Sequence, residues 1–165
     1  MAELRTGRWM AQIDGDFVVF IIGARPQRFH LLRSLRDLGG RRGMPYMLKK
    51  LSEDPEKGLL GYEIYGLGTI VQYWRSFEHL ERFANDTADP HVAAWRNYWR
   101  RVGTSTRTGI WHETYLVRAG EYEAIYGNMP PFGLGKASRL VPLAEAKTAR
   151  DRFRGAASGT AGHPN

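Results

Sequence analysis

Short apolar runs alternate with turn chemistry along this chain, and the runs carry two different periods. Residues 17–24, FVVFIIGA, are continuously apolar and rich in Val and Ile, the pattern of a central buried strand. Arg25-Pro26 ends it, because proline has no N–H to give to a ladder. Phe29, Leu31, Leu32, Leu35 and Leu38 recur at helical spacing until Gly39, Gly40 and Gly43 interrupt them. A second helical stretch runs roughly from Met44 to Leu51, and SEDPEKG is a polar turn. LLGYEIYGL and GTIVQYWRS read as two strands of an antiparallel hairpin around Leu67-Gly68. In the second strand the period of two puts Ile70, Gln72 and Trp74 on one face and Thr69, Val71, Tyr73 and Arg75 on the other.

Ser76 then reads as a helix N-cap, followed by the stripe Phe77, Leu80 and Phe83. After a break at 85–90, a new helix begins near Pro90 and runs through HVAAWRNYWRRV. GIWHETYLV, residues 109–117, is rich in aromatic and β-branched residues and reads as a strand. Glycine and proline punctuate the segment after it, which reads as loop. Residues 1–16 read as an N-terminal arm, 17–144 as one domain and 145–165 as a flexible C-terminal tail. The order β-α-β-β-α-β predicts an α+β, ferredoxin-like fold with a four-stranded antiparallel sheet and helices on one face. Aromatics stand on both faces of the strands, so the uncovered face needs a cover, and a homodimer is the expected one.

Composition narrows the chemistry more than the fold. The 165 residues contain no cysteine, which removes disulfides, thiolate metal sites and cysteine nucleophiles. The net charge of +7 raises nucleic acid as a partner, but no zinc-finger, RRM or KH signature accompanies it. Arg33, Arg36, Arg41, Arg42, Arg96, Arg100 and Arg101 lie along helical stretches and read as solvated faces. No run approaches the roughly 20 apolar residues of a membrane span, and MAELRTGRWMAQIDGD lacks the apolar stretch of a signal peptide. A cytoplasmic protein with neither nucleic-acid nor membrane partners is expected.

The strings GTIVQYWRSFEHLERFA, HVAAW and GIWHETYLVRAGEYEAIYGNMPPFGLG, with FVVFIIGAR, MPYMLKKL and DPEKGLLGYE before them, resemble the fumagillin-pathway monooxygenase-like family. That family belongs to the dimeric α+β barrel superfamily, alongside the antibiotic-biosynthesis monooxygenases. The resemblance spans about residues 17–142. It implies a small monooxygenase acting on an aromatic or polyketide- or terpenoid-like metabolite. In the superfamily, histidines on the second long helix act as bases or, in haem-binding branches, as the axial iron ligand.

Two histidines stand out. His91, Trp95 and Tyr98 fall at i, i+4 and i+7 and share a helix face, a wall suited to a flat organic molecule. His112 shares a strand face with Ile110, Thr114 and Leu116, while Trp111, Glu113 and Tyr115 share the other. Either histidine suits a general base, and either suits a packed core position. Asn128, next to Tyr126 and Met129, is a candidate donor to a developing oxyanion. The candidate catalytic set is thus His91, His112 and Asn128, with Trp74, Trp95, Tyr98, Trp111, Tyr115 and Tyr126 as pocket walls. Three functions follow: a cofactor-independent oxygenase with a small-molecule substrate, a haem enzyme with His91 as axial ligand, or a non-catalytic ligand-binding dimerisation module. No metal-ligand cluster or nucleotide fingerprint appears.

Overall fold

The computed structural model describes residues 3–27, 31–40, 43–66, 68–86, 90–143 and 148, with only the backbone of Pro90 and His91. Strand β1 is Arg5–Gln12, β2 Phe17–Pro26, β3 Leu59–Tyr65, β4 Thr69–Trp74, β5 Thr108–Val117, β6 Ile125–Met129 and β7 Arg139–Pro142. Helix α1 is Leu31–Asp37, α2 Met44–Leu51, α3 Phe77–Asn85, α4 Pro90–Val102 and α5 Leu134–Ala137. A short 3-10 turn at Pro55–Lys57 leads into β3. Four strands form an antiparallel sheet in the order β3-β4-β2-β5, the α+β arrangement expected. No helix among the described residues is long and apolar enough to cross a membrane.

The alternation in β4 decides which face the helices take. Ile70, Gln72 and Trp74 are buried, and cross-strand pairing sets them beside Ile22, Phe20 and Val18 of β2. Leu48 and Leu51 of α2 and Leu80 and Phe83 of α3 pack on this face to complete the principal core. Ser76 stands at the cap position of α3 with extended backbone, but its hydroxyl bonds His79 Nδ1 at 2.9 Å rather than a helix N–H.

The opposite face carries elements that the sequence pattern did not announce. Residues 1–16 are not a detached arm, because β1 is the central strand of a second sheet ordered β6-β1-β7. The segment after β5 is not all loop, since it supplies β6, α5 and β7. Tyr126, Asn128 and Met129 therefore belong to a strand. Ala11, Phe17, Tyr126, Leu134 and Leu140 form a second core, against which Val19 and Tyr73 of the larger sheet pack. The tail of residues 145–165 lies outside the described residues except for Thr148.

Helix α1 also departs from its pattern. Its leucines suggest a core stripe, yet its buried residues are Ser34 and Asp37, while Leu32 is 83% exposed. Hydrogen bonds to the start of β5 turn the polar side inward.

Candidate active site

A cavity of about 350 Å³ lies on the helical side of the sheet, where α1, α2 and α4 meet the end of the β3–β4 hairpin. The sheet contributes Ile22, Ile64, Ile70 and Ile110, and the helices contribute Leu35, Met44, Met47 and Trp95. Gly40, Gly43, Gly66 and Gly68 bring bare backbone to the wall. Two of them are forced: a Cβ at Gly43 would stand 2.8 Å from the Leu38 carbonyl oxygen, and one at Gly68 would stand 2.9 Å from that of Ala24. Such contacts demand glycine and let a ligand approach closely. Trp95 and Tyr98 lie one turn apart on α4, with rings stacked 18° from parallel and centroids 5.9 Å apart. They offer a flat aromatic wall.

Among the described lining residues, Tyr98 brings a hydroxyl and Asp37 a carboxylate. The Tyr98 hydroxyl donates to the Thr108 carbonyl at 2.6 Å. Burial raises its pKa above the ordinary tyrosine value, and the Asp37 carboxylate adds to the shift. Asp37, 7% exposed, accepts from Arg107 Nε at 2.8 Å on Oδ2. Thr108 Oγ1 lies 3.3 Å from the same oxygen and 2.9 Å from Ser34 Oγ. A buried carboxylate requires a charged partner and hydrogen bonds, and this network supplies both. Ser34, Asp37, Arg107 and Thr108 were not among the sequence candidates. The signal that would have found them is a Ser and an Asp three residues apart on a helix of leucines, with an Arg-Thr pair opening the last long strand.

The remaining candidates do not gather around this cavity. His91 occupies the first turn of α4, one turn before Trp95, and its side chain lies outside the described residues. His112 is exposed on β5, an edge strand, with its ring centroid 5.5 Å from that of Phe20. Trp74 is fully buried, packs on Phe83 and donates to Gln72 Oε1 at 3.0 Å. It is core rather than wall. Trp111 and Tyr115 lie on the face away from the helices, half exposed. Trp111 lies against Gly23, where a Cβ would collide with its ring, and the Tyr115 hydroxyl donates to Glu113 at 2.6 Å.

Tyr126 is buried in the second core, and its hydroxyl accepts from the Gly135 N–H at 2.8 Å. Asn128 takes a positive φ of 51° and accepts from the Gly7 N–H at 2.8 Å. Its amide oxygen therefore joins β6 to β1. Among the described residues no group of three His, Asp or Glu could hold a metal ion.

A family model matches residues 17–134, described as monooxygenase af470-like. The chain belongs to the monooxygenase af470-like family. No curated protein matches the chain. Among solved structures, an aldoxime dehydratase in complex with butyraldoxime is similar, with TM-score 0.57, 18% identity and coverage of 90% of this chain and 43% of that one. A second aldoxime dehydratase gives TM-score 0.55, 20% identity and coverage of 92% and 45%. This family member thus spans under half the length of those chains, and at such identity the likeness is one of fold. A nipsnap family protein with unknown function from Agrobacterium tumefaciens is 19% identical with TM-score 0.35, covering 66% of this chain and 92% of that one.

Haem needs an apolar slot and an axial donor. The described lining meets the first condition, and it offers the thioethers of Met44 and Met47 but no imidazole. The haem alternative therefore rests on His91.

Proposed function

We propose that this chain is a small monooxygenase that binds a flat, largely apolar organic substrate in the cavity between α1, α2, α4 and the sheet, and that it works without a bound cofactor. The cavity itself carries the reading. It is concave and walled by aliphatic side chains and a stacked Trp95–Tyr98 pair, the character of a small-molecule site. The family's name supports oxygen chemistry. In an apolar site of this kind an electron-rich substrate with an activated methylene loses a proton to a base, and the resulting carbanion reduces dioxygen. One methylene group and one dioxygen molecule become one carbonyl group and one water molecule. Both C–H bonds of the methylene break, one oxygen atom stays on carbon, and the other leaves as water with the two hydrogens. His91 is the proposed base, one turn before Trp95 on α4.

Oxygen uptake with an anthrone-type substrate and labelled dioxygen tests the reading. One labelled oxygen atom in the product, lost when Ala94→Trp fills the cavity, is the expected result. A bound substrate with no oxygen uptake overturns it and leaves a binding module. An absorption spectrum with a Soret band that His91→Ala removes would replace it with the haem reading. Pairing of two copies through the part of the sheet's far face left exposed along β5 is part of the same proposal, supported by the exposure of Trp111 and Tyr115 there. A monomer in sedimentation at working concentration would remove that part.

A further inference from the structure

Asp37 is the only charged side chain lining the cavity among the described residues. Its surroundings are otherwise aliphatic, aromatic or glycine backbone. A carboxylate in such a place costs free energy, and the fold compensates it from one side. Arg107 Nε and Thr108 Oγ1 both approach Oδ2. No described hydrogen bond reaches Oδ1, although the residue is 7% exposed and forms part of the cavity wall. Helix α1 is tied to its neighbours separately: Ser34 Oγ donates to the Arg107 carbonyl just before β5 at 3.3 Å, and Arg101 Nη1 of α4 donates to the Arg36 carbonyl at 2.8 Å. A carboxylate is not required for that.

We infer that Asp37 is a specificity-determining residue, with Oδ1 accepting a hydrogen bond from a hydroxyl group of the substrate. The ligand class is then a hydroxyarene or enol: a flat apolar body against Trp95 and Tyr98 with one donor directed at the end of α1. This deepens the cavity reading and rests on it. Tyr98 is the weaker acceptor: its hydroxyl hydrogen goes to the Thr108 carbonyl, and the oxygen left to accept is neutral, whereas a carboxylate accepts as a charged group. A site built to bond a substrate hydroxyl discriminates strongly against the analogue that lacks it, because its own buried polar group is then left unpaired.

The test is calorimetric titration with 2-naphthol and its methyl ether, 2-methoxynaphthalene. Wild type is expected to bind the naphthol at least about tenfold tighter, the size of one hydrogen bond to a charged acceptor. Asp37→Asn keeps an acceptor oxygen but loses its charge, and it narrows the gap between the two affinities severalfold. Tyr98→Phe leaves the gap as it is, and Ala94→Trp abolishes both affinities. An unchanged gap in Asp37→Asn overturns the role of Asp37. Equal affinities in wild type, with Ala94→Trp still abolishing both, overturn the role of Asp37 and leave the cavity standing. Failure of wild type to bind either compound overturns the inference and the cavity together. Should Asp37→Asn fail to fold by circular dichroism, the double variant Tyr98→Phe with His91→Ala decides. A retained naphthol preference supports Asp37, and a lost preference overturns it.

Discussion

Trp74 and Tyr73 are adjacent in β4 and point to opposite faces of one sheet, and their surroundings differ in kind. Trp74 sits among Val18, Leu48, Leu80 and Phe83, and its one polar contact among the described residues is to Gln72 two residues away. Tyr73 faces a layer held by hydroxyls, glycines and a short helix, with Tyr65 and Tyr126 as neighbours and the Gly133–Leu134 backbone beside its hydroxyl. The helical face is stabilised by bulk apolar burial, so it tolerates a cavity near its rim. The other face is stabilised by close backbone approach and individual hydrogen bonds. The same sheet thus carries a face suited to holding a ligand and a face suited to holding its own chain ends.

The comparison is broken most strongly by Trp74→Ala. Removing a fully buried indole from the helical core leaves a void that its neighbours cannot fill, costing about 3–5 kcal/mol. Urea denaturation measures it, and a cost below about 1 kcal/mol would show that this face is not the principal core.

On the opposite face the corresponding change adds a single carbon rather than removing a ring system. A Cβ at Gly135 would stand 2.8 Å from Tyr126 Cζ and 2.9 Å from Leu140 Cδ2. Gly135→Ala is therefore expected to cost about 1–3 kcal/mol through overpacking. Loosening should begin in β6 and β7, as local hydrogen exchange would report, with the cavity on the helical side unaffected. Equal loosening of both faces would show that the two cores unfold as one.

The next effect is smaller and local. Asn128 holds a positive φ and bonds Gly7 across the β1–β6 pair, with an irregular register between Arg5 and Arg8 beside it. Asn128→Ala loses the bond and keeps the unfavourable backbone, for about 1–2 kcal/mol. Asn128→Gly loses the bond but relieves the backbone, so it should cost less. The reverse order would show that the positive φ is not what strains this position.

The two faces also explain what could be read in advance. Where a strand buries every second residue, as β4 does with Ile70, Gln72 and Trp74, the period announces the strand and its inner face. β1 buries Ala11 alone and β6 buries Tyr126 alone, so neither shows a period, and the small sheet passed as arm and loop. In α1 the periodic leucines pointed the wrong way because Ser34 and Asp37 find partners in Arg107 and Thr108, about 70 residues along the chain. Spacing on one helix cannot reveal such partners. Trp95 and Tyr98 were legible as one stripe, and both line the cavity. Trp111 and Tyr115, equally aromatic, lie on the far side of the sheet.

The mildest perturbation is pH, and it separates the faces without a substitution. Burial, with Tyr65 and Tyr126 nearby, pushes the Tyr73 hydroxyl up to about 12 from the ordinary value of 10.0. The protonated form is thus favoured in the folded chain. Between pH 10 and 12 the unfolded chain has given up this proton while the folded chain keeps it, so stability falls as pH rises through that window. Below it the contribution is fully present, and at neutral pH nothing changes. Denaturation midpoints measured up to pH 12 should therefore fall more steeply for wild type than for Tyr73→Phe, and phenolate absorbance should show one fewer late-titrating tyrosine in the variant. If the two curves run parallel, the Tyr73 hydroxyl is open to water and the second face is not the closed, hydroxyl-held layer that sets it apart from the helical one.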